Sequence, residues 1–233
     1  MIGITFNRMH SYRDFDLTIT RNGRTIGMPS KKKITHEIPY MSGSYDFSTL
    51  YGTQAYTERS LTYVFQFEQA TAEAREFHRI EVLIWLQSQT RTQLRDDSIP
   101  GFFFIAECVS SSWNDDGFIG ILTVNFDAYP FKMSDEIEGS DIWDVFNFNL
   151  DFAQVASYDV FGKLAVMVMN VGLTRVTPTI VADSNFTVTR GNVTIDVVPG
   201  TSQNWRLSFY PGENSLKIVG TGHIGFEFHK EVI

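Results

Sequence analysis

Leu61–Gln89 reads LTYVFQFEQATAEAREFHRIEVLIWLQSQ, and the hydrophobic period changes once within it. Leu61, Tyr63, Phe65 and Phe67 alternate with Thr62, Val64, Gln66 and Glu68. That is strand period, with one face apolar and the other half-polar. From Thr71 onward Phe77, Ile80 and Ile84 follow 3.6-residue spacing, and Leu83 and Leu86 widen the stripe. Thr71 can cap this helix, and Glu73 and Glu76 fall in its first turns, where the helix dipole favours acid. Thr71–Gln89 is the one helix that the periodicity predicts. A single helix among strands is expected to lie across a sheet and close its core.

Upstream, Ile2, Ile4 and Phe6 alternate with Gly3, Thr5 and Asn7, and Phe15, Leu17 and Ile19 repeat the pattern. Both runs predict strands. Asn22-Gly23 is a tight-turn signal, so Arg24–Met28 is expected to return as the second arm of a hairpin. Lys31, Lys32 and Lys33 come next, then a short strand at Ile34–Ile38. Three lysines protect a strand edge from uncontrolled pairing, and they are candidates for electrostatic docking. Ile38–Gly52, IPYMSGSYDFSTLYG, has no helical period and only a broken strand pattern. It sets Tyr40, Tyr45, Phe47 and Tyr51 among Ser, Gly and a Pro, a mixture suited to covering another protein surface. An active-site loop, a ligand groove and a joint between subunits all fit it at this point.

Downstream, Arg91–Asp97 is polar, and Asp96-Asp97 reads as turn acid. Phe102–Val109 is apolar on both faces, as in a central strand, and includes the single cysteine, Cys108, expected as a small buried hydrophobe. Asn114-Asp115-Asp116-Gly117 turns the chain into a long strand through Phe118, Gly120, Leu122, Val124 and Phe126. The composition then shifts. Met133–Asp151 holds Asp135, Glu136, Glu138, Asp141, Asp144 and Asp151 with no Lys or Arg, as an acidic linker would. We therefore divide the chain into domains 1–132 and 133–233. The second carries short strands with turn signals about every ten residues, the pattern of a β-sandwich. Its expected strands include Trp205–Tyr210, Ser215–Val219 and His223–Lys230, with a turn at Gly220-Thr221-Gly222. The fold class is mainly β with one α-helix.

Aromatic residues at 14% support β structure, and 43% hydrophobic with 20% charged residues is a normal globular balance. A net charge of -8 argues against direct binding in a DNA groove. The N-terminus lacks the order of a signal peptide, and no apolar run reaches the roughly 20 residues that span a bilayer, so synthesis in a cytoplasm without membrane insertion is expected. There is no GxSxG elbow, Walker loop, GxGxxG before a helix or HExxH. His223 and His229 share a strand face about 20 Å apart, too far for one metal. No catalytic residue, metal or cofactor is therefore expected, and the chain reads as a non-enzyme. Trp143 and Trp205 are candidate glycan contacts if the second domain is a carbohydrate-binding adhesin, the alternative reading.

One set of segments resembles a known family. The basic stretch leading to Ile38-Pro39-Tyr40-Met41-Ser42-Gly43, then Tyr45-Asp46-Phe47-Ser48, Arg59-Ser60-Leu61, the helix Thr71–Gln89 and Ala128-Tyr129-Pro130-Phe131 occur in the order seen in the distal tail (Dit) proteins of long-tailed bacteriophages. Asn170-Val171-Gly172, Thr177-Pro178 and Pro211-Gly212-Glu213-Asn214 extend the resemblance over nearly the whole chain. The resemblance implies a first domain like a tail-tube protein, a split sheet or barrel plus helix, closing a homo-hexameric ring (a belt). It implies a second, galectin-like or carbohydrate-binding-module-like sandwich projecting outward. The ring would link the major tail tube protein to the tail-tip proteins, with tape-measure and receptor-binding proteins as further partners, at the virion tail tip of a phage of a Gram-positive host. DNA would pass through the lumen without specific binding, which an acidic chain suits. Within this frame Ile38–Gly52 becomes an extended arm, and Tyr40, Tyr45, Phe47 and Tyr51 become subunit-interface candidates.

Overall fold

The computed structural model describes residues 2–50, 52–69, 71–88, 90–115, 117, 119–139 and 154–233. The chain divides into two compact units, Met1–Lys132 with Ile233, and Met133–Val232. Unit 1 contains β1 (Ile4–Phe6), β2 (Met9–His10), α1 (Ser11–Phe15), β3 (Thr18–Ile26), β4 (Thr35–Glu37), β5 (Ser44–Asp46), β6 (Arg59–Glu68), α2 (Ala72–Gln87), β7 (Thr92–Asp96), β8 (Phe102–Asp115) and β9 (Ile119–Ala128). Seven of its strands form an antiparallel sheet in the order β2-β1-β7-β8-β9-β6-β3.

The predicted alternation builds the middle of this sheet. Leu61, Tyr63, Phe65 and Phe67 are all buried, and they lie opposite Phe126, Val124, Leu122 and Gly120 of β9. Glycine at 120 is required by close approach: a Cβ there would lie 2.5 Å from the Phe67 ring and 2.6 Å from the Trp113 indole. Phe118 lies outside the described residues. Cys108 packs against this core, and burial pushes its thiol up to about 11.

The sheet curls, and one carboxylate shows it. Asp96 on β7 accepts from the Tyr63 hydroxyl on β6 at 3.0 Å, from Arg24 Nη1 on β3 at 3.3 Å and from the Ser98 N–H at 2.9 Å. In a flat sheet β7 and β6 would be three strand spacings apart, about 14 Å, and β7 and β3 about 19 Å. Phe6 of β1 also meets Phe126 of β9 at 5.1 Å, again three strands away. Burial and the Asp96 charge push the Tyr63 phenol far above its usual range. The polar Arg91–Asp97 run is thus a strand, and Asp96, expected in a turn, is one of its buried residues.

Three expectations are corrected. The described residues form two helices. Ser11–Phe15 is helical because the His10 imidazole caps it, accepting at Nδ1 from the Tyr12 and Arg13 N–H groups at 3.1 Å each. His10 Nε2 then carries the hydrogen and donates to Asp97 at 3.0 Å. Next, Asn22-Gly23 makes no hairpin. Thr18–Ile26 is continuous, and these residues form a bulge against β6. Gly23 presses on the β6 backbone, where a Cβ would lie 2.6 Å from the Val64 carbonyl oxygen. Finally, α2 buries Leu86 of the predicted stripe but turns Phe77, Ile80 and Ile84 outward. Val82, Trp85 and Leu86 are in the core, with Arg75 joined to Asp115 at 2.8 Å and Trp85 Nε1 donating to the Phe6 carbonyl at 2.8 Å. Phe77, Ile80 and Ile84 are 61%, 44% and 65% exposed. Both faces are apolar, so periodicity alone did not choose between them.

β10 (Lys132–Ser134) pairs with β17 (Glu231–Val232). Unit 2 further contains β11 (Ser157–Asn170), β12 (Thr179–Ala182), β13 (Phe186–Arg190), β14 (Val193–Val197), β15 (Gly200–Gln203) and β16 (Gly212–Glu227). The ladders join these six strands into one antiparallel sheet through β16, which pairs with β11, β12 and β13. The expected turn at Gly220-Thr221-Gly222 lies inside β16. The glycines are needed because β13 and its leading turn press on them, with the Phe186 ring 2.5 Å and Ser184 Oγ 2.0 Å from the Cβ positions of 220 and 222. Trp205–Tyr210 is not a strand, though Phe209 bridges Val176. The described part of the acidic run is folded. Glu138 is buried, its N–H donates to the Phe228 carbonyl at 2.8 Å, and burial raises its carboxyl. Lys230, also buried, opposes that rise.

Asp96→Ala removes the acceptor of the buried Tyr63 hydroxyl and of two part-buried donors, Arg24 and the Ser98 N–H, and is expected to destabilise unit 1 by about 3 kcal/mol. The lowered midpoint of thermal unfolding, with Tyr63 followed by near-ultraviolet circular dichroism, measures it.

Candidate functional site

Residues 28–58 leave the sheet between β3 and β6 and return to it. The excursion is a neck joined by the Lys31–Tyr56 bridge, carrying the separate two-stranded sheet β4-β5. Every residue from Lys31 to Phe47 is exposed. The neck is anchored where the Tyr56 ring meets the edge of Phe131 at 5.1 Å, and Phe131 meets Tyr129 at 5.8 Å. The Tyr129-Pro130-Phe131 segment thus holds the base of the arm.

Register gives the arm two unlike faces. Thr35, His36 and Glu37 lie opposite Asp46, Tyr45 and Ser44, and the Phe47 N–H donates to the Ile34 carbonyl at 2.8 Å. Alternation then puts Ile34, His36, Ile38, Tyr45 and Phe47 on one face and Lys33, Thr35, Glu37, Ser44 and Asp46 on the other. Tyr45 and Phe47 sit 6.2 Å apart, centroid to centroid. On the polar face Lys33 Nζ reaches Asp46 Oδ2 at 2.6 Å, and Asp46 Oδ1 accepts from the Ser48 N–H at 2.8 Å. Lys33 and Ser48 together hold the Asp46 carboxyl far below the usual carboxylate range. Ser48 Oγ accepts from the Ile34 N–H at 2.8 Å, tying the two strands at the neck.

The structure therefore brings Tyr45 and Phe47 onto one apolar face and puts Tyr40 on the loop between the strands, with a left-handed φ of 69°. Tyr51 lies outside the described residues. Of the lysines expected on a hairpin, all three sit near the neck, with Lys33 paired and Lys31 and Lys32 exposed. Trp205 belongs to unit 2 and is 82% exposed, and Trp143 lies outside the described residues. The sequence reading missed Ile34 and Ile38 as parts of the apolar face, although their spacing from each other is strand period. A two-stranded sheet is marginal in water on its own, and one with an uncovered apolar face is a surface built for contact. Among the described residues no three His, Cys, Asp or Glu side chains gather as a metal set, and no helix is long and apolar enough to cross a membrane.

No family model matches the chain, and no curated protein matches it in sequence. Among solved structures, the SPP1 Dit (gp 19.1) protein, described as a paradigm of the hub adsorption apparatus in phages infecting Gram-positive bacteria, aligns over 100% of both chains. The TM-score is 0.69 at 16% identity. The phage P2 baseplate in its activated conformation with Ca overlaps 92% of each chain at a TM-score of 0.35 and 8% identity, too low to establish a common fold. The chain thus has a Dit-like fold, mainly β with one substantial and one short helix.

Asp46→Ala removes the ion pair and the Ser48 contact, so limited proteolysis between residues 30 and 57 should become severalfold faster. Acid should act in the same direction. The carboxyl is depressed in the fold, so its contribution is complete above about pH 4, the unfolded value, and is lost as pH falls towards the folded one. Amide exchange in β4 and β5, compared at pH 5 and below pH 3 after correction for intrinsic rates, reads the loss.

Proposed function

We propose that the chain is a structural, non-enzymatic hub protein of a phage tail tip, in which six copies close a ring between the tail tube and the baseplate or adhesion proteins. The observation that carries this reading is the full-length Dit-like fold. The apolar arm supports it. Unlike patches on one subunit meet head to tail, and such contacts close into rings when the rotation allows. In this reading unit 1 forms the belt, and unit 2 faces outward as a sandwich-like module. Tail-tube and tail-tip proteins bind the two rims, and the neck lysines Lys31 and Lys32 assist docking. The tape-measure and receptor-binding proteins are further partners. DNA passes through the lumen without being read, and the net charge of -8 keeps the duplex from adhering.

Sedimentation over a range of concentrations tests the ring. The expected species is about 160 kDa, six chains of 26.6 kDa. Phe47, 43% exposed, can become Asp without disturbing the core. Phe47→Asp should leave a folded monomer, and an intact ring in that variant would show that the arm serves its own subunit only.

The exposure of Trp205 favours a second reading, a carbohydrate-binding adhesin acting through unit 2. It predicts that wild-type protein is retained on host cell-wall glycan and that Trp205→Ala lowers retention at least tenfold. Equal retention of the two proteins removes it.

A further inference from the structure

α2 is apolar on two opposite sides. Val82, Trp85 and Leu86 fill the core, and Phe77, Ile80 and Ile84, half a turn round, face out. An exposed apolar stripe opposite a buried one has no role in the fold of a single subunit. The arm has the matching property, with Ile34, Tyr45 and Phe47 on one uncovered face. Resting on the ring reading above, we infer that the apolar face of the arm from one copy covers the outer stripe of α2 on the next.

Three observations support this occupant. The two patches differ in shape, one a helix ridge and the other a flat ribbon, so neither has to meet its own kind. They also attach to different elements of the curled sheet. The arm leaves at β3 and β6, while the C-terminal end of α2 is fixed to β1 through the 2.8 Å bond from Trp85 Nε1 to the Phe6 carbonyl. A head-to-tail contact needs two distinct patches of this kind on one subunit. The charges left after internal pairing are opposite as well. On the helix, Glu76 pairs with Arg79 and Arg75 with Asp115, while Glu81 has only His78 at 3.8 Å. Glu73 then lies in line with Phe77, Ile80 and Ile84, and Glu81 flanks them. On the arm, Lys33 pairs with Asp46 and Glu58 with Arg91, which leaves Lys31 and Lys32 against Glu37.

Complementation between two variants tests the contact. Ile84→Asp spoils the helix stripe, and Phe47→Asp spoils the arm; both positions are exposed, so each chain should keep the wild-type circular dichroism and melting temperature. Each variant alone should be monomeric. An equimolar mixture should give a dimer of about 53 kDa, two 26.6 kDa chains, because only one sound arm and one sound helix remain per pair. A wild-type ring together with an Ile84→Asp ring overturns the inference and leaves the ring standing. Two monomeric variants whose mixture stays monomeric also overturn it, since arm and helix then face different surfaces. Wild-type protein that stays monomeric at every concentration overturns the ring reading and this contact with it.

Discussion

The geometry of unit 1 depends on the Asp96 carboxylate. It is fully buried and takes hydrogen bonds from strands that the sheet order separates by three and four places. A carboxylate in such a position is costly unless its oxygens are satisfied, and only a curled sheet brings Tyr63 and Arg24 within reach. Curling places Phe6 against Phe126 and makes one interior for α2 to close. The Asn22-Gly23 bulge serves the same end, because the extra residues in β3 let that strand turn with the sheet.

With the interior closed, unit 1 keeps apolar surface exposed on the arm and on the outer side of α2. Neither is buried within unit 1. The arm has too few residues to make a core, and the outer side of α2 is turned away from the one it closes. Each patch nevertheless keeps the periodicity of an ordinary buried face, two residues for the ribbon and 3.6 for the helix.

That regularity explains what was legible in the sequence. The β6 alternation was legible because β6 has one apolar face, and β9 was legible from its own alternation at Gly120, Leu122, Val124 and Phe126. α2 was legible as a helix, but two apolar stripes compete in it, and the more regular one faces outward. Asp96 was invisible because two adjacent acids in a polar run look like a turn, and nothing local shows that Tyr63 and Arg24 converge on one of them. His10 was missed as a cap because imidazole seldom takes that role, and the glycines at 220 and 222 were read as a turn when they answer to crowding from β13. In each case the deciding contact is far away in sequence. Of the arm, the sequence singled out Tyr45 and Phe47 as aromatics in a broken strand pattern, while their grouping with Ile34 needed the β4-β5 register.

The long strand β16 has a consequence for how unit 2 comes apart. It carries the ladders to β11, β12 and β13 along its length, and β14 and β15 hang from two of these. Phe186 and Val188 on one partner and Ile180 and Ala182 on another share the core with Leu216, Ile218, Ile224 and Phe226 of this spine. None of β11, β12 and β13 can detach without breaking a ladder of β16, so partial opening of this centre gains little entropy for the contacts it breaks. Amide protons of β16 and its three direct partners should therefore exchange through one shared opening. A pull on β14 or β15 would load β13 or β12 first and reach the spine only through them.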